Sequence, residues 1–218
     1  MNAIKNIIFD FDGTLANTSK LIVATMQKSI QDCGFPYRTE EQIKSTIGVR
    51  LEEIPSILWP SYKNIGKNFA ATYRHNFETL KDKTPISLFP GVIETLSLLK
   101  EEGYQMAIAT SRSHRSVEEL TEKLEIRDFF IYILGGDDVL EGKPNPESIY
   151  KIMADMEWKN LETLMVGDMP VDILMGKYAG IRTCGVTYGN GKAIEMEEVR
   201  PDLIIDSFKE LSETFATR

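Results

Sequence analysis

Two cysteines, Cys33 and Cys184, are too few and too far apart for a disulfide framework, and no Cys-x-x-Cys spacing offers a structural zinc site. That usage fits a reducing compartment. A long apolar run is missing as well: Asp10 and Asp12 interrupt the first hydrophobic stretch, and no segment approaches the roughly 18 residues of a membrane span. A soluble cytoplasmic protein with no membrane partner is the expectation. Histidine is scarce, with only His75 and His114, and Gly-x-Ser-x-Gly is absent, so no histidine-activated nucleophile is legible. His114 reads either as a substrate contact near Thr110 or as a solvated helix start. Basic residues number 25 against 33 acidic ones, and the resulting charge of -8 repels nucleic acid. Hydrophobic residues, by contrast, make up 42% of the 218-residue chain, enough for a real core in one or two domains.

Periodicity divides the chain into two regimes. Residues 4–11 read as a buried strand, after which Leu21, Ile22, Thr25, Met26, Ser29 and Ile30 recur at helical spacing and Gly34 supplies a stop. Thr39-Glu40-Glu41-Gln42 has the form of a capping box, and Ile65, Phe69, Tyr73, Phe77 and Leu80 form an apolar stripe on a helix predicted from Ser61 to Leu80. That stripe reads as core of an all-helical stretch from Thr18 to about Lys83, with no convincing strand. Beyond Pro85, helices (90–102, 113–124, 146–156, 170–179, 207–215) alternate with strand candidates (104–109, 130–134, 164–167, 181–186, 203–205). Alternation of this kind implies right-handed crossovers and a doubly wound, mostly parallel, Rossmann-like α/β sheet. The helical stretch is therefore a small inserted all-helical domain: residues 17–83 form the insertion, and 1–16 with 84–218 form the core.

In an open parallel sheet, ligands bind beyond the carboxyl ends of the strands. The first strand releases Asp10 and Asp12 there, the 104–109 strand releases Thr110-Ser111-Arg112, and the 164–167 strand releases Asp168 followed by Asp172. Lys143 precedes a helix whose start is marked by Asn145 as cap and Pro146 as first residue. A buried carboxylate loses its water and needs cations or donors in exchange. Three or four of them along one edge, with two hydroxyls and one lysine, call for a hard divalent cation such as Mg2+, which takes carboxylates and completes its shell with water and phosphate oxygens.

Four segments, Asp10-Phe11-Asp12-Gly13-Thr14-Leu15, Ala109-Thr110-Ser111, Gly142-Lys143-Pro144-Asn145-Pro146 and Gly167-Asp168-x-x-x-Asp172, together resemble the ordered motifs of the haloacid dehalogenase-like hydrolase superfamily. The resemblance spans essentially the whole chain, and the helical insertion is similar to that superfamily's cap domain. Phe89-Pro90-Gly91-Val92 and Gly135-Gly136-Asp137-Asp138 resemble the phosphoglycolate phosphatase-like branch, although Asn17-Thr18 stands where many of its members read Asp-Ser. The resemblance implies a magnesium-dependent phosphatase acting on a small phosphorylated molecule. Asp10 is then the nucleophile that forms an aspartyl-phosphate, and Asp12 the general acid and base. The Asp10 and Asp168 side chains, with the Asp12 carbonyl, hold the metal. Gly13, Thr110, Ser111 and Lys143 surround the phosphoryl oxygens, and Asp172 orients Lys143 or a metal-bound water.

Related readings differ in substrate or in class. Phosphoglycolate, pyrophosphate and sugar phosphates all suit these motifs. A mutase of the same superfamily more often resembles Asp-Gly-Val where Gly13-Thr14-Leu15 stands. A phospho-accepting receiver module uses similar groups in another order and without a helical insertion. An EF-hand fails because its sixth and twelfth positions would be Leu15 and Leu21. Within the insertion, Arg50 follows Gly48 between two helices, and either clamps an acidic leaving group with its planar fork or is a solvated helix-start residue. A monomer or homodimer is expected.

Overall fold

The computed structural model describes residues 4–216. β1 (Asn6–Phe9) is buried along its whole length, with Ile7 and Phe9 packed into one apolar layer and Ile8 into the opposite one, as the two-residue period of a strand requires. After β2 (Ala16–Asn17) come four helices without an intervening strand: α1 (Ser19–Asp32), α2 (Glu40–Lys44), α3 (Ile54–Leu58) and α4 (Gly66–Leu80). The chain returns through β3 (Ser87–Leu88), and then α5 (Val92–Glu101), β4 (Gln105–Ala109), α6 (His114–Lys123), β5 (Tyr132–Leu134), α7 (Glu147–Asp155), β6 (Thr163–Gly167), α8 (Pro170–Tyr178), β7 (Arg182–Val186), α9 (Ala193–Glu198), β8 (Leu203–Ile205) and α10 (Glu210–Ala216) complete it. The six long-range strands pair in parallel in the order β5-β4-β1-β6-β7-β8.

This is the doubly wound α/β fold with a helical region inserted after the first strand. Strand succession runs outward from β1 to β5 on one side and from β6 to β8 on the other, so the reversal of strand order falls beside β1. That reversal opens the crevice in which such sheets bind ligands. β2 and β3 form a separate antiparallel ribbon, Ala16 opposite Leu88 and Asn17 opposite Ser87, where the chain leaves for and returns from the helical region.

Several boundaries differ from the sequence expectation for local reasons. The first strand ends at Phe9 rather than residue 11, although the Asp10 N–H still donates to the Val166 carbonyl at 2.9 Å. α4 begins at Gly66, not Ser61, because Asn64 takes a left-handed conformation (φ 58°) that interrupts the helix. α5 starts two residues late because Gly91 caps it at φ 84°. Pro146 is the cap of α7 rather than its first residue, while Asn145 Oδ1 accepts from the Glu147 N–H at 3.0 Å. The capping box at Thr39 is present, with Gln42 and Thr39 exchanging both bonds at 3.0 and 3.2 Å. In the helical region Phe69 packs against Phe35 and Trp59, both with ring centroids 5.9 Å away, so the apolar stripe of α4 is indeed core. No helix among the described residues is long and apolar enough to cross a membrane.

Candidate active site

The three central strands β4, β1 and β6 release Thr110, Asp10 and Asp168 side by side, and all three residues are buried. Lys143, from the loop before α7, reaches into this edge: its Nζ lies 2.5 Å from Asp10 Oδ1 and 2.7 Å from Asp172 Oδ1. Asp172 sits in the first turn of α8 and its other oxygen accepts from the Met169 N–H at 3.0 Å, so both its oxygens are engaged. Asp168 accepts from the Thr14 hydroxyl at 3.1 Å and from the Asn190 N–H at 2.7 Å. Gly13 has φ 96°, and a Cβ on it would meet Asp168 Oδ2 at 2.1 Å, so only glycine lets the turn after Asp12 lie against that carboxylate.

One lysine does not balance these charges. Oxygens of Asp10, Asp168 and Asp172 lie within 4.8 Å of one another. Burial raises the Asp10 pKa well above its usual value; Lys143 opposes the rise and Asp172, Asp168 and Asp12 add to it. Burial, then repulsion by Asp172, pushes Asp168 up to about 7 against the Asn190, Thr14 and Lys143 contacts. Lys143 shows the complementary effect: burial alone would lower its pKa, but Asp10 and Asp172 hold it above the usual lysine range. The donors are hard oxygens with an unmet negative charge, which fits a hard divalent cation of the magnesium kind.

Asp12 lies beside this cluster with its carboxylate in a bidentate pair with Arg112, Nη2 to Oδ1 at 2.6 Å and Nε to Oδ2 at 3.0 Å, and Thr18 donates to Oδ1 at 2.6 Å. Thr110 Oγ1 accepts from the Arg112 N–H at 3.2 Å, and the Ser111 hydroxyl donates to the Gly48 carbonyl at 2.5 Å. That last bond joins the sheet's loops to the helical region, as does Arg50, whose Nη2 donates to the Gly136 and Val139 carbonyls at 2.7 and 2.6 Å and whose Nη1 donates to the Leu140 carbonyl. Both regions enclose a cavity of about 510 Å³, floored by Asp10, Asp12 and Thr110 and roofed by residues 46–52 with Tyr73 and Phe77. His114 Nδ1 sits 2.7 Å from Asp138 Oδ2 and does not line this cavity.

The geometry therefore gathers Asp10, Asp168, Asp172 and Lys143 at one edge, with Asp12, Thr110 and Ser111 on the same cavity. Residues 7–186 match the haloacid dehalogenase-like hydrolase family. The chain belongs to that family. It is 34% identical over 211 residues to a protein named probable phosphatase IndB of Dickeya dadantii, covering 94% of this chain and 90% of that one. It is 33% identical to a phosphoglycolate phosphatase of Vibrio parahaemolyticus, covering 98% and 96%. A solved haloacid dehalogenase-like hydrolase of Bacteroides fragilis superposes with a TM-score of 0.86 at 30% identity, covering 95% and 99%.

Sequence reasoning missed four members of this family site's surroundings: Thr14, Thr18, Asn190 and the Arg112 side chain. Asn190 had a usable signal, since Gly189-Asn190-Gly191 follows β7 and so leaves the same sheet edge as Asp168. Thr18 is marked in the sequence only as part of the Asn17-Thr18 departure, six residues after its partner Asp12, and nothing announces the Arg112 side chain, whose partner lies 100 residues away.

Proposed function

We propose that this hydrolase is a magnesium-dependent phosphatase for a small, phosphoglycolate-like phosphomonoester, working through an aspartyl-phosphate on Asp10. The observation that carries the reading is Asp10 itself: a buried carboxylate at the mouth of the central strand, held 2.5 Å from a buried lysine and flanked by two further acids. Asp10 and Asp168 side chains with the Asp12 carbonyl would hold the metal, because the charge of Asp172 is already paired with Lys143 at 2.7 Å, whereas Asp168 accepts only from the neutral Thr14 and Asn190 donors. When bound, magnesium supplies the positive charge this cluster lacks and draws charge from the phosphoryl oxygens.

An Asp10 oxygen attacks phosphorus, the bond from phosphorus to the leaving oxygen breaks, and Asp12 gives that oxygen a proton. Asp12 then takes a proton from water, whose oxygen attacks phosphorus and breaks its bond to Asp10. Inorganic phosphate and the free carboxylate are restored. Lys143 favours the ionised form of Asp10 against its burial and, with the Thr110 hydroxyl and Ser111 N–H, faces the transferring group, where fixed charge and donors provide most of the rate enhancement. Asp172 fixes the lysine. Residues 17–83 act as the cap that excludes bulk water, and 1–16 with 84–218 as the catalytic core.

The test is phosphate release with magnesium from 2-phosphoglycolate, pyrophosphate, sugar phosphates and p-nitrophenyl phosphate. Many turnovers per chain are expected on an acidic small ester, stopped by chelator. Asp10→Asn should abolish release, since an amide is a poor nucleophile and a neutral ligand. Label accumulating at one per chain without release would instead mark a phospho-accepting module.

A further inference from the structure

Arg112 lines the cavity between the helical region and the sheet. Its side chain is only 8% exposed, its guanidinium lies 5.0 Å from the Phe77 ring of α4 and 5.9 Å from the Phe11 ring, and Nη1 donates to Ser116 Oγ at 3.1 Å. Nε and Nη2 each donate to Asp12. With Thr18 included, three hydrogen bonds fix the rotamer of that carboxylate and take three of its roughly four acceptor sites. An acid so restrained cannot turn an oxygen freely toward a leaving group.

The other cations on the cavity wall are committed elsewhere. Arg50 is bound to three carbonyls, Arg74 pairs with Glu52 at 2.6 Å, and Arg115 pairs with Glu119 at 2.8 Å. Only the fork of Arg112 is held by a group that the chemistry itself must move. Beside it, Tyr73 lines the same cavity, buried, with its ring stacked on Phe77. Its hydroxyl takes no hydrogen-bond partner among the described residues and lies close enough to Arg112 and Asp12 to feel both charges. A planar cation and a spare phenol lining one cavity match a second anionic group on the substrate.

We propose that Arg112 reads an anionic group on the leaving side of the substrate, with Tyr73 as second donor, and thereby releases Asp12 for proton transfer. Resting on the phosphatase reading above, this makes Arg112 a specificity residue toward the leaving group and a positioning residue toward Asp12. A substrate bearing a carboxylate or second phosphoryl group takes over the fork; a substrate without one leaves Asp12 restrained.

The experiment compares wild type, Arg112→Lys, Arg112→Gln and Tyr73→Phe by kcat/KM on 2-phosphoglycolate, pyrophosphate and p-nitrophenyl phosphate. The ratio of acidic to neutral ester should fall about 10-fold or more in Arg112→Gln, with partial rescue by Lys, which keeps the charge but not the fork. Tyr73→Phe should shift the ratio the same way by about threefold. The two acidic substrates distinguish carboxylate from phosphoryl recognition. An unchanged ratio in Arg112→Gln and Tyr73→Phe would overturn the proposal. If Arg112→Gln does not fold, the Lys and Phe variants decide by the same ratio. Wild type that turns over none of the esters refutes the phosphatase reading instead. In that event calorimetry on Asp10→Asn still decides about Arg112: adding Arg112→Lys should weaken 2-phosphoglycolate binding but not inorganic phosphate, and equal weakening of both overturns the role.

Discussion

Asp168→Asn is expected to stabilise the metal-free protein while destroying its response to magnesium. The Asp168 carboxyl is fully buried, and burial followed by repulsion from Asp172 raises its pKa from 3.8 to about 7. Between those values the folded protein binds a proton that the unfolded chain has shed, so stability falls as pH rises through that window and the full cost is present above pH 7. A displacement of that size corresponds to about 4 kcal/mol. Asparagine removes the charge but keeps one acceptor, which stays on the Asn190 N–H; its amide then faces the Thr14 hydroxyl, which turns from donor to acceptor. The exchange of charge-assisted for neutral bonds loses about 1 kcal/mol. A net gain of about 2–3 kcal/mol is expected at pH 8, fading towards zero near pH 5. Urea unfolding in chelator at several pH values measures it, and repetition with magnesium should stabilise wild type but not the variant. A variant no more stable than wild type at pH 8, with a parallel pH profile, would refute the account of this cluster as a site of unmet negative charge.

Two further perturbations address the turn behind Asp12 and the bridge over the cavity. Gly13→Ala should lower stability by about 2 kcal/mol or more and suppress turnover, because φ 96° and a Cβ 2.1 Å from Asp168 Oδ2 leave the methyl no space; urea unfolding within about 0.5 kcal/mol of wild type would contradict this. Arg50→Ala should reduce kcat/KM about 5- to 50-fold on 2-phosphoglycolate and p-nitrophenyl phosphate alike, since its guanidinium is committed to the Gly136, Val139 and Leu140 carbonyls. A loss confined to the acidic ester would make Arg50 itself the clamp on the leaving group.

What could be read from the sequence follows the range of the interactions involved. Asp10, Thr110 and Asp168 are legible because each ends an apolar run, and a parallel sheet sends every strand end to one edge. The Thr39 capping box is legible because its partners are three residues apart. β2 and β3 are invisible to periodicity at two residues each, and α3, at five residues with Pro55 inside, is too short to show a helical repeat. Gly91 read as part of α5 because a left-handed cap leaves no mark on the hydrophobic pattern. The pairing of Asp12 with Arg112 joins residues 100 apart, and nothing local to either announces it. Arg50 was recognisable as a planar cation in a loop, yet its three carbonyl partners come from a loop some 90 residues away.

The β2–β3 ribbon gives the helical region a property of its own. Because Ala16 pairs with Leu88 and Asn17 with Ser87, the two ends of the inserted segment are clasped side by side. To the parallel sheet, everything between them is a single closed loop. The entropy of closing a loop grows only logarithmically with length, by about 0.6 kcal/mol for each doubling. Lengthening or shortening the segment therefore changes the closure entropy borne by the sheet only slightly. The length of the roof is thus only weakly coupled to the closure of the sheet beneath it, and what ties the two together is the set of contacts made by Gly48 and Arg50.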